Sequence, residues 1–234
     1  MKQSIFFVCI LWIAGFVACS KNDDSAIPDT SSNINVFVGV PGGHFDVAID
    51  SSFIGLNIGE GTFTGYKSFR AERHTLYIYE VGNRTTPIDS GDVNMRNGFH
   101  YSAFISLDHT NTLQLWALED ALAPLPAQFT GKIRVVNLSD TYNSNGDALS
   151  LDFYVSDLID TARFQNINYQ AKVAFSDIQA GSYKRDIRLA GTTQSLLGKI
   201  PQAYTVVDGK FTSWIVYGNA LKSDSFKLAA FTHN

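Results

Sequence analysis

The chain has 234 residues, of which 45% are hydrophobic and 17% charged, with a net charge of -4. That composition is too apolar for a disordered chain, and no run of Lys or Arg offers the basic footprint that nucleic acid requires. Seventeen Phe and ten Tyr, with many Val, Ile and Thr, favour strands over helices.

Lys2 opens the chain and an apolar run follows from Ile5 to Ala18. The run is shorter than the roughly 20 residues of a spanning helix and ends in small residues, which is the pattern of a signal peptide. Phe16-Val17-Ala18-Cys19 resembles the lipobox of bacterial lipoproteins, with Phe16 where Leu is usual. The resemblance implies that residues 1–18 are removed and that Cys19 carries a diacylglycerol. An ordinary secretory signal or an uncleaved anchor is the alternative reading of the same residues. Ser20-Lys21-Asn22-Asp23-Asp24 is similar to the acidic export signal of Bacteroidetes surface lipoproteins, with Lys21, Asp23 and Asp24 as its charged members. That resemblance implies a lipid-anchored, surface-exposed protein of the outer membrane, although a solvated tether would share the composition. Ser25 to Asn33, with Pro28, reads as linker, so residues 19–33 are expected to be the lipidated N-terminus and its tether. Cys9 and Cys19 are the two cysteines, so the remainder holds neither a disulfide nor a thiolate metal ligand.

From Ile34 onward short apolar runs alternate with Gly, Asn, Asp and Ser turns at strand spacing. Phe45-Asp46-Val47-Ala48-Ile49-Asp50 has a period of two, and Leu151-Asp152-Phe153-Tyr154-Val155-Ser156 repeats it, including the Asp after the first apolar residue. Other segments pair in the same order. Asn35 to Val38 corresponds to Ile133 to Asn137, Arg73 to Tyr79 to Ser182–Arg188, Phe99 to Ser106 to Lys210–Tyr217, and Leu113 to Leu118 to Phe226–Phe231. The expected fold is all-β: two tandem immunoglobulin-like β-sandwich domains of roughly seven strands each, at 34–129 and 130–234. Pro124 and Pro126 mark the join.

Arg134-Val135-Val136-Asn137-Leu138-Ser139-Asp140, Leu151 to Val155, Ala180-Gly181-Ser182-Tyr183 and Gly209 to Tyr217 resemble the bacterial family called domain of unknown function 4397. The resemblance covers most of the second copy and touches the first through Phe45 to Ile49 and Gly98 to Ile105. It implies tandem sandwiches on secreted or lipid-anchored proteins and supplies no catalytic residues.

The second copy carries an extra loop, Ser139 to Ala148, where the first has Pro41-Gly42-Gly43. Its Asp140, Asn143, Asn145 and Asp147 are candidate ligand-binding residues, or a tolerated insertion; Tyr142 breaks the spacing of an EF-hand loop. Alternation places Trp116 opposite Leu113, Leu115 and Ala117. It is an outward platform for a glycan or partner, a contact between the two domains, or a residue buried under the Pro124 segment. His74 and His100 are the histidines that strand pairing could bring together. Gly55 to Gly61 reads as turns and bulges, since no helix follows to make a phosphate cradle. No catalytic motif, metal site or cofactor is expected. The expected role is a non-catalytic envelope module that binds or spaces an extracellular glycan or protein. The alternatives are an accessory of polysaccharide uptake, or an envelope-assembly component or enzyme of unknown type.

Overall fold

The computed structural model describes residues 30–156, 162–198, 202–222 and 224–233. Cys19, Lys21, Asp23 and Asp24 lie outside the described residues. Sixteen strands and no helix are found among the described residues, and none of the latter forms a membrane-spanning helix.

The first half supplies β1 (Ser31–Val38), β2 (His44–Ile49), β3 (Ser52–Gly59), β4 (Lys67–Arg70), β5 (Arg73–Glu80), β6 (Asp89–Asn94), β7 (His100–Leu107) and β8 (Leu113–Asp120). They form two sheets, β4-β1-β7-β8 and β3-β2-β5-β6. The second half supplies β9 (Thr130–Leu138), β10 (Leu151–Ser156), β11 (Ala162–Ile167), β12 (Ser176–Gln179), β13 (Gly181–Leu189), β14 (Gln202–Val206), β15 (Phe211–Tyr217) and β16 (Lys227–His233). Its sheets are β12-β9-β15-β16 and β11-β10-β13-β14. Adding eight to every strand of the first sandwich gives the strand order of the second. In both, the first strand runs parallel to the seventh: β1 with β7, and β9 with β15.

Two expectations change. Each sandwich has eight strands rather than about seven, because the short edge strands β4 and β12 are too brief for alternation to reveal. The first strand begins at Ser31, inside the segment read as linker. Its polar start hid it: Ser31 to Ile34 pair with Arg70 to Lys67 of β4, and the Ser32 hydroxyl donates to the Phe99 carbonyl at 2.7 Å.

The repeated Asp has one structural job in both halves. Asp46 Oδ1 accepts the Asn57 N–H at 2.7 Å and Asp152 Oδ1 accepts the Asn166 N–H at 2.9 Å. Both asparagines are in the left-handed region, at φ 50° and 53°, beside irregularities in strand pairing. The other carboxylate oxygen reaches Gly82 N at 3.4 Å in the first copy and Gly191 N at 3.3 Å in the second. A buried carboxylate thus satisfies backbone donors that a bulge leaves unpaired.

Each sandwich has its own core. Ile34, Val36, Val38, Val47, Ile49, Ile78 and Ile105 are among the first, and Ile133, Val135, Phe153, Ile187, Trp214 and Val216 among the second. A third cluster takes the opposite faces of the same strands: Phe37, Phe104, Trp116 and Leu118 from the first sandwich, and Val136, Leu138, Ile215, Tyr217 and Ala229 from the second. Sheets β4-β1-β7-β8 and β12-β9-β15-β16 therefore pack against each other, and residues 31–234 form one compact unit of four β layers. Burial on both faces explains why β7 and β15 are apolar almost without alternation.

Candidate functional site

The parallel pairs β1/β7 and β9/β15 all run in one direction, so the junction has two ends. One end gathers the starts of these strands and the point where Ser31 enters. The other gathers their finishes.

At the finishing end the two sandwiches enclose a groove of about 410 Å³. Gly39 and Pro41 after β1, Leu107 to His109 and Asn111 at the β7–β8 turn, Asp140 after β9, and Gly218, Asn219, Lys222, Asp224 and Ser225 between β15 and β16 line it. Asp108 Oδ1 accepts from Thr110 N, Thr112 N and the Thr110 hydroxyl, at 2.6 to 2.9 Å. The Thr110 hydroxyl and those backbone donors hold its carboxyl below the usual range. Asp140 Oδ2 lies 2.9 Å from both His109 N and His109 Nδ1, joining the halves. With the proton on Nδ1, His109 Nε2 remains an acceptor. The His109 ring lies tilted against Tyr142, with 4.2 Å between centroids and 39° between planes. Lys222 adds an exposed cation to the groove lining. The groove thus offers carboxylates, an imidazole, a cation and small backbone-lined surfaces, a set suited to a polar, hydroxyl- or amide-bearing ligand.

Of the residues singled out in the 139–148 loop, Asp140 alone lines this groove. Asn143 Oδ1 instead accepts from Asn145 N and Asp147 N at 2.9 Å, and Asn143 Nδ2 donates to Asp147 at 3.0 Å. These side chains fold their own loop. Among the described residues no three His, Cys, Asp or Glu cluster as a metal site. Trp116 packs on Phe104 at 5.5 Å within the junction cluster, the domain-contact alternative of the sequence reading. His74 and His100 do not meet, because β5 and β7 belong to different sheets. His74 lies between Asp50 Oδ2 at 2.7 Å and the Arg70 carbonyl at 2.8 Å; His100 Nε2 lies 3.2 Å from Asn33 Nδ2.

At the starting end the junction holds a largely buried polar ring that the sequence does not announce. Asp120, Arg134, Ser213 and His233 are all fully or almost fully buried, as is Ser102. Acceptor counting fixes the protons. Asp120, ion-paired with Arg134 NH2 through Oδ1, can only accept. Tyr66 therefore donates its hydroxyl proton to Asp120 Oδ2 at 2.6 Å. His233 Nδ1, 2.6 Å from the same hydroxyl, must donate to it. His233 Nε2 then accepts the Ser213 hydroxyl at 2.7 Å, and Ser213 Oγ accepts from Arg134 Nε at 2.7 Å. The ring closes with a neutral histidine. Burial drives the His233 pKa down to about 4, against the pull of Asp120. Burial and the Asp120 carboxylate push the Tyr66 phenol far above its ordinary value, so it remains a donor.

Ser213, His233 and Asp120 are the residue types of a nucleophilic triad, but their order differs. Tyr66 stands between His233 and Asp120, whose Nδ1 and Oδ2 are 3.8 Å apart, and Ser213 is shared with Arg134. With Asp120, Arg134, Ser213 and His233 almost fully buried and Tyr66 half-buried, the ring links the two sandwiches as a joint. Its signal in sequence was faint: Arg134 between Ile133 and Val135, with Asp120 and His233 closing the last strand of each copy.

No curated protein matches the chain. The stretch matched by a family model covers the first sandwich, β9 and the start of the following loop. It includes Arg134 to Asp140 but stops before Leu151, where the greater part of the second-copy resemblance lies. Residues 32–145 match the model of the family described as Domain of unknown function (DUF4397).

Proposed function

We propose that the protein is a non-catalytic lipoprotein of the bacterial envelope, tethered through Cys19, exposed at the outer-membrane surface, and acting as a rigid binding or spacing module. One observation carries the reading. The described body begins at Ser31, at the starting end of β1, while the groove lies past Val38 at the other end of that strand. Eight residues at about 3.3 Å each separate the two by roughly 25 Å. A tether at one end and a polar groove at the other suits a protein that holds something away from its attachment point. Trp116, occupied in the junction, lends no support to glycan stacking through that side chain. The family description names no activity.

A fatty-acid probe added to growing cells should label the wild type and not a Cys19→Ala chain; equal labelling of the two overturns the anchor. For the groove, purified protein is passed over an array of glycans and peptides. Ligands retained by the wild type should be lost with Asp140→Asn or Lys222→Glu. Retention unaffected by both substitutions removes the groove from the account, and turnover of a retained ligand removes the non-catalytic reading.

A further inference from the structure

We propose that the end of the body where Ser31 enters is a membrane-docking face, with Leu125, Phe129 and Val207 inserting into the lipid surface. This rests on the Cys19 anchor proposed above. Leu125 and Phe129, 77% and 65% exposed, are the two most exposed large apolar side chains among the described residues, and Val207 is 49% exposed. All three lie at the starting end. Leu125 is in the connection from the finish of β8 to the start of β9, pinned where Lys132 Nζ donates to the Pro124 carbonyl at 2.8 Å. Phe129 immediately precedes β9. Val207 is in the turn from β14 to β15, held beside it by the Gly209 N–H donating to the Thr130 carbonyl at 2.9 Å. Phe99 extends the set to the first sandwich. Its turn touches the entry point directly, with Gly98 N donating to the Ser31 carbonyl at 2.7 Å.

Phe129 adds a second observation. It has φ 63°, in the left-handed region where Gly or Asn is the usual occupant and a bulky ring is strained. Its carbonyl is fixed by the Ala180 N–H at 2.8 Å. A large aromatic in a conformation that favours glycine costs backbone strain, and with its ring largely turned to water little core burial offsets that cost. The Phe129 and Val207 carbonyls are already bonded, to Ala180 N and Lys210 N, and turn tips can enter the interfacial layer, where backbone groups still meet water. Long amphipathic side chains border the same surface: Arg96, ion-paired with Glu119, lies over Phe99 at 4.1 Å, and Lys132 reaches the Pro124 carbonyl. The occupant follows from the chain. Cys19 is twelve residues before Ser31, so full extension allows at most about 40 Å between them. A lipid fixed at Cys19 keeps this end of the body within reach of the bilayer, and a second weak contact adds to the first.

The test uses the acylated full-length chain in phosphatidylcholine vesicles. No cysteine exists between residues 20 and 234, so Leu125→Cys, Val207→Cys, Val81→Cys and Leu221→Cys each accept one environment-sensitive fluorophore. Spin-labelled lipid should quench the probes at 125 and 207 by about twofold or more and leave those at 81 and 221 near their values in water, as interfacial burial of one end requires. Adding Phe129→Gly, which suits the backbone there, should reduce quenching at 125 while the protein stays folded. Equal quenching at both ends, or none at 125 and 207 while the protein floats with the vesicles, overturns the docking face and leaves the anchor standing. A blue shift at 125 without lipid quenching assigns the face to a second copy or another protein and also overturns it. A chain that fails to float removes the anchor, and this inference with it.

Discussion

The two sandwiches share every strand pairing yet differ where they meet. In the first, β7 pairs Ser102 with Leu118 and His100 with Asp120; in the second, β15 pairs Ser213 with Phe231 and Phe211 with His233. Position for position, Asp120 corresponds to His233, and Asn35 to Arg134. Equivalent sites thus carry an acid in one copy and a base in the other, and an amide in one and a guanidinium in the other. The duplicated interior is kept through apolar residues and the paired Asp46 and Asp152. The duplicated surface has become complementary: Arg134 of the second half meets Asp120 of the first, and His233 of the second meets Tyr66 of the first. A second contrast lies inside the sheets. Leu76 is core in the first sandwich, while its counterpart Arg185 in the second lies over Tyr204 and Trp214 at 5.2 and 5.7 Å. Burial pushes the Arg185 pKa down.

The largest expected effect comes from breaking this complementarity. Asp120→Ala leaves Arg134 buried without its counter-ion and should cost about 3–5 kcal/mol. Urea unfolding monitored by Trp116 at the junction and Trp214 in the second core should then give two separated curves. Superimposed curves with a loss under about 1 kcal/mol would mean that the ring does not couple the halves.

Acidification acts next. His233 accepts a proton near pH 6.5 when unfolded but only near pH 4 when folded. Its contribution is therefore whole above pH 6.5 and is lost as pH falls toward 4, on the order of 3 kcal/mol. Protonation would put a second donor on Ser213, which already receives Arg134 Nε. The groups facing His233 are Tyr66, Asp120, Arg134 and Ser213, with His100 nearby. His74 in the first sandwich has the opposite sign. Burial opposes its charge, but the Arg70 carbonyl and the Asp50 carboxylate prevail and raise its pKa. Its contribution is whole below pH 6.5 and fades as pH rises through the raised value. Stability measured from pH 8 to 4 should fall in the wild type and fall less in His233→Leu; an unchanged slope would take His233 out of the joint.

Much of the duplication was legible because the Asp-marked strands repeat with a period of two. The junction was not. A strand buried on two faces loses its alternation, so β15 alone did not place Trp214, whereas β8 kept its alternation and set Trp116 opposite Leu113, Leu115 and Ala117 without saying what covers it. The ring was hidden for another reason: Tyr66, Asp120, Arg134 and His233 are far apart in the chain, and local pattern carries nothing about their meeting. Of the groove, Asp140 was visible as a loop acid, whereas its partner His109 becomes relevant only when the two sandwiches are placed together.

The smaller effects compare equivalent residues directly. Asp46→Ala and Asp152→Ala should each cost about 1–3 kcal/mol by stranding bulge donors, as buried unpaired N–H groups do. Asp46 should lose more, since it also accepts from Arg84 Nε at 3.0 Å. No loss of urea stability from either substitution would deny the shared role. Asn35 is fully buried and neither side-chain atom has a partner. Asn35→Leu should therefore raise stability by about 1 kcal/mol; a loss of that size would show that its amide is satisfied in solution.

Calorimetry of the wild-type protein at neutral pH tests the joint between the halves most directly. A four-layer body closed by the junction cluster and the Tyr66–Asp120–Arg134–Ser213–His233 ring should melt in one transition, with calorimetric and van't Hoff enthalpies in agreement. Two resolved transitions, each of a size suited to about 100 residues, would show two independent sandwiches and contradict the account.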